Sequence, residues 1–110
     1  MAKRTGRRKQ PARPVIEDLF ERPPTSREEL EARLRRTYVA EARSLLTDRL
    51  ERGVLDPDQQ DVLVDAFLIL GIGRELEKLE ELVADREIDL PTRSLALRVL
   101  ALRALCLAGF

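Results

Sequence analysis

The sequence predicts an all-α fold of about four antiparallel helices behind a basic N-terminal arm. Three observations predict it. Apolar residues recur at three- and four-residue spacing from Leu30 to the last turns of the chain. Helix-start and helix-stop residues punctuate that pattern at Ser26, Gly53, Asp56, Gly71 and Pro91. No stretch shows strand-like alternation between turn signals.

Residues 1–13 carry Lys3, Arg4, Arg7, Arg8, Lys9 and Arg13 and no acid, whereas residues 14–110 hold 14 cations and 20 acids. Residues 1–14 lack apolar periodicity and contain two prolines, so they are expected to be disordered. Their six cations are candidate polyanion-binding residues, because salt-sensitive phosphate contacts need only flexible positive charge. The arm has no aromatic residue on which a base would stack, and it could equally lie on its own acidic body. Arg outnumbers Lys 17 to 3, so a count of arginines carries no argument by itself. Val15–Phe20 is a short apolar–acidic patch closed by Pro23-Pro24. Six residues do not sustain an isolated helix, so the patch either folds onto the body, the plainer reading, or docks elsewhere. Residues 1–25 therefore read as a flexible basic arm with a short apolar motif, and 26–110 as a helical domain.

The first helix is expected over 26–52. Ser26 with Glu29 forms a capping box, and Leu30, Leu34, Tyr38, Ala42 and Leu45 trace one face, with Tyr38 on the buried stripe. Gly53 supplies the left-handed stop. Such a helix would be about 40 Å long. Asp56-Pro57-Asp58-Gln59 opens a second helix over 57–70, burying Val62, Leu63, Ala66, Phe67 and Leu70. Gly71-Ile72-Gly73 ends it as a helix-to-helix turn, without the strand or third glycine of a phosphate loop. A third helix is expected over 74–85, with Leu76, Leu79, Leu82 and Val83 inward. Pro91 then opens a fourth over 91–108.

Composition removes most chemistry. With no His and a single Cys, the chain offers no imidazole acid/base, no Cys-His nucleophile pair, no disulfide framework and no Cys-clustered metal site. Asp58, Asp61 and Asp65 share a helical face, but no second element offers the further oxygens a cation would want, so they read as a solvated acidic face. Cys106 lies between Leu105 and Leu107 and reads as a core residue. No catalytic residue, cofactor or metal ligand is expected. No apolar run is long enough for a bilayer and no signal peptide opens the sequence, so a cytoplasmic location is expected.

Ala66, Leu68 and Leu70-Gly71 end one helix; Leu79, Leu82, Val83 and Asp85 run through the next; Pro91, Arg93, Ala96, Leu97 and Leu100 open a third. In that pattern residues 62–105 resemble a HEAT-like repeat of the armadillo superfamily. The resemblance implies that Asp85 and Arg93 pair as a structural ladder between repeats, that the helix over 26–52 is an N-terminal cap, and that the chain is a non-catalytic protein-interaction scaffold. The last helix is apolar nearly all round, relieved by Arg98 and Arg103, and no polar capping repeat follows. The chain thus reads as a piece of a longer solenoid or as a self-associating one. Leu97, Leu102, Leu105, Leu107 and Phe110 are the candidate association surface, with Leu100 beside them. The alternative function is association with nucleic acid or another polyanion through residues 1–13.

Overall fold

Two side-chain caps open helices where the sequence places them. Ser26 Oγ accepts the Glu29 N–H at 3.1 Å. Asp56 and Gln59 form a full reciprocal box, at 2.8 and 3.0 Å, with Pro57 at the first helical position. The computed structural model describes residues 9–109. Six α-helices follow one another: α1 Ala12–Glu21, α2 Arg27–Arg35, α3 Val39–Arg52, α4 Pro57–Leu70, α5 Leu76–Ala84 and α6 Leu90–Leu107, with a 3-10 turn Gly73–Glu75 leading into α5. Among the described residues there is no strand, only an isolated bridge between Gln10 and Thr37.

The helix count is a correction to the expected four, and it has two sources. Residues 12–21 are helix, not disordered arm. Ala12, Ile16, Leu19 and Phe20 all bury on the body, so the apolar patch does fold inward. Pro14 belongs to the first turn, where a missing N–H costs nothing. The free Ala12 N–H is capped from another element, by the Glu41 carboxylate at the start of α3. The second source is a break in the expected 26–52 helix. Thr37 is fully buried, its hydroxyl donates to the Leu34 carbonyl at 2.7 Å, and the Gln10 N–H takes the Arg36 carbonyl at 2.6 Å. Those bonds divert groups that a continuous helix would use. After the break the register resets: Ala42, Leu46 and Leu50 are inward, and Tyr38, expected on the buried stripe, is exposed.

The core is centred on α4, whose Val62, Leu63, Val64, Ala66 and Phe67 are buried and which packs on α1, α2, α3 and α6. α5 packs on α6, with Leu79 and Leu82 inward. Buried polar side chains are few, and none among the described residues lacks a hydrogen-bond partner. Arginine accounts for several helix-end bonds. Arg33, Arg49 and Arg93 donate to the carbonyls of Arg22, Gly53 and Val83 at 2.8, 2.8 and 3.1 Å, and Arg43 Nε to that of Leu70 at 3.1 Å. These carbonyls lie within one residue of the C-terminal ends of α1, α3, α5 and α4, where intrahelical donors run out. Gly71 and Gly73, both at positive φ, leave room for Arg43 to reach its carbonyl: a Cβ on Gly73 would collide with the guanidinium.

The α3–α4 connection contains a strained residue. Val54 has φ of +57° and is 94% exposed. A β-branched residue in the left-handed region costs on the order of 1–2 kcal/mol, and here no burial offsets it. Val54→Asn, which tolerates that conformation, is expected to raise the unfolding free energy by about 0.5–1 kcal/mol. Urea denaturation checks it, and a loss of stability would show that Val54 makes a contact worth its strain.

Candidate interaction surface

α6 has eighteen residues against nine in α5, a rise of about 27 Å against about 13 Å, so its last turns run past the body. Its inner side carries Thr92, Leu95, Ala96 and Val99, all buried. At 100° per residue the opposite side carries Leu90, Ser94, Leu97, Ala101, Ala104 and Ala108, and all six are exposed. Their separations are 4, 3, 4, 3 and 4. That is the seven-residue repeat of a helix–helix seam. The seam is uncharged from end to end and apolar but for Ser94, and Leu90 and Leu97 are 68% and 54% exposed. Leu105 adds exposed apolar surface beside it, and Leu107 is exposed at the end of the helix.

This placement divides the residues expected to form one surface. Leu97 is on the seam, Leu105 flanks it, and Leu107 is turned toward the inner side but exposed beyond the body. Leu102 is half-buried on the inner side, as is Leu100, which joins the core. Phe110 lies outside the described residues. Cys106, expected in the core, is exposed: it is on the inner side of α6, but beyond the end of the body, where no element remains to cover it. By side-chain size the leucines, not the seam's alanines, stand out along α6. The signal that finds the alanines is spacing, not size.

Asp85 and Arg93 do not form the expected ion pair. The Asp85 carboxylate accepts the Glu87 N–H at 2.9 Å, closing the α5–α6 turn, while Arg93 Nε caps the Val83 carbonyl. Each serves its own end of one junction. Asp85→Ala and Arg93→Ala are therefore expected to be additive within about 0.5 kcal/mol in a double-mutant cycle. Coupling above about 1 kcal/mol would restore the ladder pair. Asp61 pairs with Arg98 at 2.7 Å, which ties the acidic face of α4 to α6. Asp58 and Asp65 flank it, and no group of three or more acidic or sulfur ligands is arranged to hold a metal among the described residues.

Of the six candidate polyanion-binding cations, Lys3, Arg4, Arg7 and Arg8 lie outside the described residues. Arg13 sits on α1, with Glu17 at 3.9 Å. Lys9 Nζ reaches the Arg35 carbonyl at 3.4 Å, so the start of the described chain is seated on the end of α2. Beside it, Gln10, Asp18, Arg22, Arg33 and Arg36 line a groove of about 440 Å³. Asp18 neutralises part of that charge, at 2.8 Å from Arg22 and 3.8 Å from Arg33, while Arg36 has no ion-pair partner among the described residues. A second groove, of about 560 Å³, runs between α1 and α3 with three arginines and three carboxylates. There Arg49 stands over the Phe20 ring at 5.5 Å, and burial, then neighbouring Arg52, lowers its proton affinity. Near the start of α2, Thr25, through its N–H and its hydroxyl, holds the Glu29 carboxyl below its ordinary value, with Arg33 adding to the effect.

No helix among the described residues is long and apolar enough to cross a membrane. The chain matches no protein-family model, no curated protein and no solved structure.

Proposed function

We propose that the chain is a non-catalytic protein-interaction module whose working surface is the outward face of α6. The observation that carries the proposal is the exposed, uncharged 4-3-4-3-4 seam. A contiguous uncharged stripe left in water is the kind of surface that commonly marks a protein–protein contact. No nucleophile–base pair accompanies it among the described residues, and in each groove some of the charge is already paired, Arg13 with Glu17 and Asp18 with Arg22 and Arg33. A HEAT-like arrangement is supported by direction. Asp61 meets Arg98 and Gly71 lies beside Arg103, so α4 and α6 run in the same sense, while the short 85–89 turn reverses α5 against α6. Stacked helix pairs repeat in that way, and α6 then presents the face on which a next helix would stack.

A photo-crosslinking residue placed at Leu97 tests the proposal in the cell that makes the protein. A discrete adduct at 97, absent when the probe replaces exposed Glu77, is the expected result. Equal labelling at both positions overturns it.

A second reading, polyanion binding, is favoured by the seating of Lys9 and Gln10 against the end of α2, where Gln10 lines a groove with Arg22, Arg33 and Arg36. It requires that affinity for a single-stranded homopolymer fall at least about tenfold between 50 and 200 mM salt. Affinity that ignores salt, or no binding, removes it.

A further inference from the structure

The seam on α6 is complementary to itself, a property that docking to an unrelated helix would not need. Its large residues, Leu90 and Leu97, occupy the N-terminal half, and its small ones, Ala101, Ala104 and Ala108, the C-terminal half. We propose that α6 packs antiparallel on α6 of a second copy, about a two-fold axis at the level of Val99. The inference rests on the interaction reading above and names its partner.

The register follows from the numbers. In an antiparallel pair centred there, Leu90 meets Ala108 of the second copy, Ser94 meets Ala104, and Leu97 meets Ala101, each contact occurring twice by symmetry. Every large side chain then faces a small one, so the helix axes stay evenly spaced along the seam. A parallel pair would set Leu90 on Leu90 and Ala108 on Ala108, splaying one end and pinching the other. Antiparallel packing also brings opposite ends of the two helix dipoles together. Positions 1–8 do not suit the same place, since they bring four cations and a single large apolar side chain, Met1. A seam about 27 Å long buries on the order of 1,000 Å² in total, the weak end of specific interfaces, so the dimer is expected to dissociate in the micromolar range.

Two measurements on the purified full chain decide it. Sedimentation from about 1 to 300 µM should show a monomer–dimer equilibrium, and Leu97→Glu should weaken it at least tenfold with an unchanged circular dichroism spectrum. On a Cys106→Ser background, mixed Leu90→Cys and Ala108→Cys chains should oxidise to a mixed disulfide dimer, while neither variant alone crosslinks efficiently. Self-crosslinking of Leu90→Cys would replace the antiparallel pairing with a parallel one and overturn the proposal. So would a dimer that Leu97→Glu leaves intact. A monomer at 300 µM overturns it as well. If residue 97 nevertheless acquires a discrete adduct with a different protein in cells, the interaction reading stands and only the choice of partner falls. If it acquires none, both fall.

Discussion

Phe67→Ala is expected to lower the unfolding free energy by about 3–5 kcal/mol. Phe67 is the largest of the fully buried side chains, on the inner face of α4, the helix that packs on α1, α2, α3 and α6. Truncation there removes contacts to several elements at once, and the cavity has no solvent-facing wall through which to collapse. Small domains have about 5–15 kcal/mol of stability in all, so the loss is a large fraction of the whole. Urea denaturation followed by circular dichroism measures it. A loss below about 1 kcal/mol would mean that the core is not centred on α4.

The second large effect is expected at the other end of the chain. Leu19→Ala should cost about 2–5 kcal/mol, because Leu19 is fully buried where α1 packs on α3. The figure discriminates sharply between two pictures of residues 12–21. In a flexible arm the substitution would be felt by less than about 0.5 kcal/mol. The same denaturation experiment reads both variants, and the two costs should add only where their sites share no neighbours.

What was legible in the sequence was what neighbouring residues settle among themselves. The caps at Ser26 and Asp56 and the stops at Gly53 and Gly71 are local chemistry, and the helix starts and ends follow them. α1 was hidden because its stability is not local: ten residues with Pro14 near the front become a helix only when Glu41 caps Ala12 and the body takes up Ile16 and Leu19. The break before α3 was hidden for the same reason. Arg36-Thr37-Tyr38 contains neither Gly nor Pro, and the bond that ends α2 comes from Gln10, far away in sequence. Cys106 shows the converse error. Its neighbours are apolar, as in a core, but burial depends on whether a second element reaches that height, and α5 begins too late. The seam on α6 was readable in principle, since spacing alone defines it, but side-chain size is the more conspicuous signal and pointed to Leu102 instead.

The overhang of α6 divides one continuous helix into two regimes of protection. Amides near Leu95 and Val99 lie under buried side chains and should exchange with deuterium only when the whole molecule opens. Those from Ala104 to Gly109 belong to exposed residues, and their hydrogen bonds have only the helix itself behind them. A single unsupported turn or two is marginal in water, so exchange there should be set by fraying and be faster by orders of magnitude. Anything that covers the seam must first hold those turns in place, and part of its affinity is spent in doing so. Completion of the helix and arrival of its partner are then one equilibrium, and slowed exchange at residues 104–109 is its direct readout.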